Sequence, residues 1–174
     1  MTQEVADYCP YCGGELADRR TDDRERRYCP ACERVVYHNP TPGADVTVVR
    51  DDSALLVRRA APPGAGEWTV PGGHLEADEH PRVGVVRELR EEAGVSVAPG
   101  TLTLVGTDLL DSTGEKYVLN VGFAVRASES TGEPTAGTDA SSVRFFHADE
   151  LADDGYDLRP HVRDRVEAAM AALD

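Results

Sequence analysis

Apolar positions along the chain fall into short runs whose period changes from segment to segment. Val46 to Val49 and Leu55 to Val57 flank the turn-like Asp51-Asp52-Ser53, the pattern of two strands joined as a hairpin. Trp68 to Val70 predicts a third strand. From Pro81 to Ala93 the period lengthens. Val85, Val86, Leu89 and Ala93 recur at three- and four-residue spacing, as one face of a helix does, with Asp78 or Glu79 near its start, Pro81 in the first turn and Gly94 at its end. Leu102 to Leu110 and Tyr117 to Ala127 return to strand patterning around the turn Ser112-Thr113-Gly114. The Ser-, Thr-, Gly- and Pro-rich stretch Ser128 to Ala140 predicts a loop, Val143 to Phe146 a last strand and Pro160 to Leu173 a terminal helix. Strands interrupted by one helix and closed by another predict an α/β fold, a mixed sheet with helices packed against it.

The length, 174 residues, suffices for one ordinary core and a small appended module. Residues 1–38 carry all four cysteines, and Asn39-Pro40-Thr41-Pro42-Gly43 then punctuates the chain. Two domains are therefore expected, 1–38 and 39–174. No run approaches the roughly 20 apolar residues of a membrane span, and no basic-then-apolar signal opens the chain, so a cytoplasmic setting without a membrane partner is expected. Asp and Glu number 32 against 18 Lys and Arg, for a net charge of -14, and Lys116 is the sole lysine. Such a field repels polyanions and argues against a nucleic-acid partner. The composition resembles that of proteins from extreme halophiles.

Cys9-x-x-Cys12 and Cys29-x-x-Cys32 are two like knuckles with 16 residues between them, a spacing that suits four thiolates on one tetrahedral Zn²⁺. Disulfides are the alternative, and an intracellular setting disfavours them. Four sulfur ligands leave no open position for water, so this zinc is expected to hold the fold together and not to react. His38, beside the linker, is left out of the ligand set.

On the predicted helix Glu88, Glu91 and Glu92 share one side, at the edge of the apolar stripe. Carboxylates three and four residues apart repel one another, and a hard cation such as Mg²⁺ or Mn²⁺ would offset that. A solvated acidic face is the bland reading. The preceding Pro71-Gly72-Gly73 shifts the balance, because consecutive glycines let backbone groups approach an ion or a phosphate closely.

Gly73 through Val95 matches the Nudix box, G-x5-E-x7-R-E-U-x-E-E-x-G-U with U aliphatic, at every specified position, and the chain resembles Nudix hydrolases over about residues 43–152. The resemblance implies an α/β/α sandwich and metal-dependent cleavage of a pyrophosphate bond in a nucleoside diphosphate compound. It implies Glu88, Glu91 and Glu92 as Mg²⁺ or Mn²⁺ ligands, a backbone carbonyl at Gly72 or Gly73 beside them, and Arg87 and Glu79 as supports. Glu91 is the first candidate for general base and Asp139 the second. Arg58 and Arg59, ending a strand that in this fold approaches the cleft, are candidates for contacting phosphate or base. His74 and Trp68 are read as a bystander and a core residue, and Gly84 as a helix glycine answering to close packing against the sheet. A cysteine module ahead of such a domain is similar to the layout of NADH pyrophosphatases, yet Val97 to Asp111 lacks their aromatic, proline-rich motif. ADP-ribose, NADH and nucleotide sugars all stay open as substrates, and a homodimer stays open as the assembly. Two other readings remain: a nucleotide sensor of this family whose zinc ribbon contacts nucleic acid or protein, and a structural module.

Overall fold

The computed structural model describes residues 5–111, 116–137, 139–153 and 155–174. The predicted turn Ser112-Thr113-Gly114 lies outside them. The chain forms two compact units, one of residues 1–41 with Leu109–Leu119, the other of Pro42–Asp108 with Asn120–Asp174.

In the first unit, β1 (Ala17–Thr21), β2 (Arg24–Cys29) and β3 (Arg34–Val36) make an antiparallel sheet in that order. Asp22 and Asp23 turn β1 into β2 with φ of 51° and 59°, the left-handed pair that a tight two-residue hairpin requires. The core here is small: Cys9, Leu16 and Cys29, with Ala6, Cys32 and Val36 packed against them. These strands, short and rich in arginine, carry no apolar period that would have announced them.

The second unit is built on a mixed sheet. Its strands are β4 (Thr41–Arg50), β5 (Ser53–Arg59), β6 (Trp68–Thr69), β7 (Gly72–His74), β9 (Thr103–Asp111), β10 (Tyr117–Arg126) and β12 (Ala140–His147). The order is β12-β5-β4-β10-β9, with β6 on β5 and β7 on β4. A separate short ribbon pairs β8 (Ser96–Val97) with β11 (Ser130–Thr131) inside the stretch expected as a loop. The helices are α1 (Pro81–Ala93), α2 (Ala148–Ala152) and α3 (Val162–Leu173). None of the described helices is long and apolar enough to cross a membrane.

Alternation along β5 shows how the layers form. Leu55 and Val57 join Val85, Leu89 and Ala93 of α1 in one core, while Ala54 and Leu56 join Leu151 of α2 and Val162 and Val166 of α3 in another. Both faces of the sheet are therefore covered, as in an α/β/α sandwich. Trp68 lies in the second core with its ring edge-on to Phe146 at 4.7 Å. Residues expected to punctuate the chain, Pro42 and Gly43, are instead part of β4, where Gly43 pairs with His74 and Pro42 accepts from the Leu75 N–H.

Candidate active site

The glycine turn is placed by sheet pairing: Gly72 lies opposite Asp45 and Gly73 opposite Ala44. A Cβ on Gly72 would sit 2.4 Å from the Ala44 carbonyl oxygen, and one on Gly73 2.6 Å from the Glu88 carboxyl. Gly72 meets backbone and only glycine fits there, whereas at Gly73 it is the Glu88 side chain that would have to move. The Gly72 N–H donates to Glu92 Oε2 at 2.9 Å, joining the turn to the helix.

That helix is capped by His80, directly after Asp78 and Glu79. His80 Nδ1 accepts from the Arg82 N–H, Pro81 fills the first position, and Gly94 closes the helix in the left-handed region at φ 69°. Glu79, one residue ahead of the cap, receives the Arg87 fork, Nε to Oε1 at 3.0 Å and Nη2 to Oε2 at 2.9 Å. The same guanidinium donates to Glu88 at 2.8 Å, to Glu91 at 3.2 Å and to the His74 carbonyl at 3.2 Å. One arginine thus holds three carboxylates and the loop. Gly84 answers to that loop and not to the sheet, since a Cβ there would lie 2.4 Å from Leu75 and 2.7 Å from Glu79.

Burial raises the Glu92 carboxyl to about 7, against the Gly72 N–H and Arg59, and with the charges of Glu88 and Asp139 adding to the rise. Burial also raises Glu88, opposed by Arg87. Glu79 moves the other way, held below its usual range by the hydrogen bonds from Arg87. The helix therefore presents two partly desolvated carboxyls on which negative charge is costly, and added positive charge would relieve them. Glu88, Glu91 and Glu92 are hard oxygen donors suited to Mg²⁺ or Mn²⁺, and the glycine cradle leaves backbone within reach. Their oxygens do not converge as tightly as a closed ligand cage, for two lean on Arg87 and one on Gly72.

The stretch after Gly132 docks on the end of α1. Thr135 and Gly137 donate backbone N–H groups to the carbonyls of Ala93 at 2.8 Å and Glu92 at 2.9 Å, capping carbonyls the helix leaves open. This carries Asp139, whose carbonyl accepts from the Ala60 N–H, to within electrostatic reach of Glu92. Arg59 shares the β5 face of Leu55 and Val57 and lowers Glu92, whereas Arg58 falls on the opposite face. Both arginines also hold the loop after β5, Arg58 on the Gly66 carbonyl and Arg59 on that of Pro63.

A buried ionic group has no counterpart in the sequence reading. Asp45, 5% exposed, accepts from Asn120 Nδ2 at 2.6 Å and lies 3.1 Å from Arg165 Nε, at an angle that leaves an ion pair without a hydrogen bond. Arg165 also pairs with Asp108, and its guanidinium occupies the space a Cβ on Gly122 would take. Burial pushes Asp45 up to about 6 against Arg165. The backbone of Asp45 flanks Gly72, so this cluster fixes the strand on which the glycine turn rests. The available signal was Gly122, the one glycine of β10, together with Arg165 falling on the same helical face as Val162, Val166 and Ala169.

In the first unit the four sulfurs of Cys9, Cys12, Cys29 and Cys32 all lie within 4.8 Å of one another. Cys12 and Cys29 are 3.6 Å apart and Cys9 and Cys32 4.0 Å, close to the roughly 3.8 Å separation implied by four bonds of about 2.3 Å at tetrahedral angles. Each knuckle ends on a left-handed residue, Gly13 at φ 73° or Glu33 at φ 51°, and the Cys32 N–H points at Cys29 Sγ at 3.3 Å. These thiols can chelate a metal.

Residues 39–166 match the NUDIX domain model. The chain belongs to the Nudix family. This Nudix pyrophosphohydrolase is 29% identical over 130 residues to the ADP-ribose pyrophosphatase of Methanocaldococcus jannaschii, covering 74% of this chain and 75% of that one. It is 30% identical over 147 residues to the NAD-capped RNA hydrolase NudC of Stutzerimonas stutzeri, covering 83% of this chain but 49% of the relative. Among solved structures, a NUDIX hydrolase from Nitrosomonas europaea superposes with a TM-score of 0.72 at 23% identity, over 93% of this chain and 89% of that one, a likeness of fold.

Proposed function

We propose that this Nudix enzyme uses Mg²⁺ or Mn²⁺ to cleave the pyrophosphate bond of a nucleoside diphosphate linked to another moiety, of the ADP-ribose, NADH or nucleotide-sugar type. The observation that carries this reading is the joint between turn and helix, where Glu92 accepts from Gly72 and the Glu88 carboxyl fills the space beside Gly73. Glu88, Glu91 and Glu92 would hold the ion, with a carbonyl at Gly72 or Gly73 beside them. When bound, the ion supplies Lewis acidity, a template for the diphosphate and an acidified water.

The protein's own residues do the rest. Arg87 orients Glu88 and Glu91 while satisfied on its other side by Glu79, so it acts through the ligands and does not touch the reacting atoms. Glu91, the most exposed of the three, is the first candidate to take a proton from water, and Asp139, lodged near Glu92, is the second. Arg59 faces the same side and supplies positive charge for phosphate; Arg58, on the other face, is the weaker candidate. The domains divide at residues 38 and 39, and the four cysteines hold a structural Zn²⁺ as a zinc ribbon. Cysteines kept reduced to hold a metal suit a reducing cytoplasm.

The test is turnover of NADH, ADP-ribose, nucleotide sugars, dinucleoside polyphosphates and nucleoside triphosphates with Mg²⁺ or Mn²⁺, in low and high salt. Cleavage concentrated on diphosphates linked to a second moiety supports the reading; cleavage confined to triphosphates overturns its substrate class. Glu91→Gln should lower kcat more than Asp139→Ala at equal metal occupancy, and the reverse order moves the base to the loop.

A further inference from the structure

We propose that one face of the sheet in the first unit binds single-stranded nucleic acid. Six arginines fall within the 16 residues from Arg19 to Arg34, and four of the six tyrosines lie in the first 41 residues. The strand register sorts them by face. Asp18 pairs with Arg27, Arg20 with Glu25, and Cys29 with Arg34, which puts the carboxylates of the strands on the side that also carries the cysteine core. There Arg27 is neutralised by Asp18 at 2.9 Å and Asp7 at 3.5 Å, and Arg20 lies 3.8 Å from Asp23 of the turn.

The other face carries Ala17, Arg19 and Thr21 on β1, Arg24, Arg26 and Tyr28 on β2, and Val35 on β3, and holds no carboxylate of any strand. Arg19 and Arg26 sit directly opposite each other, an arrangement of like charges that costs stability in a bare sheet. Neither they nor Arg24 form an ion pair among the described residues. Two guanidiniums rest on rings instead: Arg19 lies 4.4 Å from the centre of Tyr28 and Arg26 5.0 Å from that of Tyr37, which is 54% exposed. A third such stack, Arg34 on the exposed Tyr11, flanks the sheet.

Two guanidiniums over aromatic rings, with Arg24 beside them and likewise without an ion pair among the described residues, offer charge to a phosphate backbone and flat surfaces to unstacked bases, the two elements that recognise single strands without base-specific hydrogen bonds. Net charge alone argued against such a partner. The strand register places the strand carboxylates on the opposite face, and carboxylates farther away than a Debye length of about 8 Å at physiological ionic strength are screened. An acidic peptide would satisfy the arginines but make no use of the rings.

The experiment is fluorescence anisotropy of a labelled oligouridylate of about 12 nucleotides, a length spanning one small binding face, titrated with the full chain. Saturable binding is expected, weakened at least about tenfold by the double variant Arg19→Glu, Arg24→Glu and about fivefold by Tyr37→Ala. Arg20→Glu, on the opposite face, should stay within about twofold of the parent. Circular dichroism and turnover of a small substrate report folding, and Arg19→Gln, Arg24→Gln replaces the double variant if that fails to fold. No saturable binding overturns the proposal. So does equal weakening by Arg20→Glu, or an oligoglutamate of equal charge competing as well as the oligonucleotide.

Discussion

Around Cys9, Cys12, Cys29 and Cys32 the ligand atoms already stand within 4.8 Å of one another, whereas the oxygens of Glu88, Glu91 and Glu92 are drawn to separate partners, Arg87 and the Gly72 N–H. The cysteine unit has almost no core of its own, so a closed set of soft ligands serves where apolar burial is scarce. The carboxylate helix is anchored independently by Val85, Leu89 and Ala93 against the sheet. On the proposed reading its carboxylates are therefore spaced for reaction, held by an arginine that keeps their charge tolerable. A metal that builds a fold and a metal that serves a reaction call for different degrees of closure.

Three measurements press on this contrast. The largest effect is expected from Cys29→Ser, which removes a buried thiol of the proposed zinc centre: metal there should be lost and residues 5–41 should become protease-sensitive. Turnover of a small substrate should stay within about threefold, because the second unit has its own core. Loss of turnover along with the metal would mean that the two centres are not separable. Next, Arg87→Lys keeps the charge but not the fork, and kcat should fall about 10- to 100-fold with little change in thermal stability.

The smallest effect is on pH dependence. Glu92 titrates near 7 in the folded protein and near 4.5 in an unfolded chain, so the folded state binds more protons between those values. Without divalent metal, stability should rise as pH falls from 7 to 4.5 and decline again as pH rises, by no more than about 3 kcal/mol from this group. Denaturant melts of Glu92→Gln should lack that increment. Retention of the full pH slope in the variant would assign it to another group, with Asp45 the first to examine.

Much of this was legible in the chain. The helix from Pro81 to Ala93, its glycine stop and the glutamate spacing depend on neighbours three or four residues away, and sequence displays such relations directly. The cysteine knuckles are local in the same sense. What stayed hidden depends on long-range pairing: Asp45 meets Asn120 across 75 positions, and Arg165 meets Asp108 across 57. The sequence puts Asp78 and Glu79 beside the helix start, but only the fold shows that His80 makes the cap and that Glu79 is committed to Arg87. Arginine-rich strands at residues 17–36 were invisible because their apolar residues are too few to set a period. Gly84 was flagged correctly as a packing glycine, but its contact is the loop at Leu75 and Glu79.

The central claim is that Glu88, Glu91 and Glu92 hold the catalytic ion. The most direct measurement is a Mn²⁺ titration followed by electron paramagnetic resonance, on the parent and on Glu88→Gln and Glu92→Gln, with the four-cysteine centre kept loaded. One Mn²⁺ or more should bind the parent, with affinity reduced at least about tenfold in each variant and kcat falling in step. Unchanged Mn²⁺ affinity in both variants, whatever happened to turnover, would contradict the assignment.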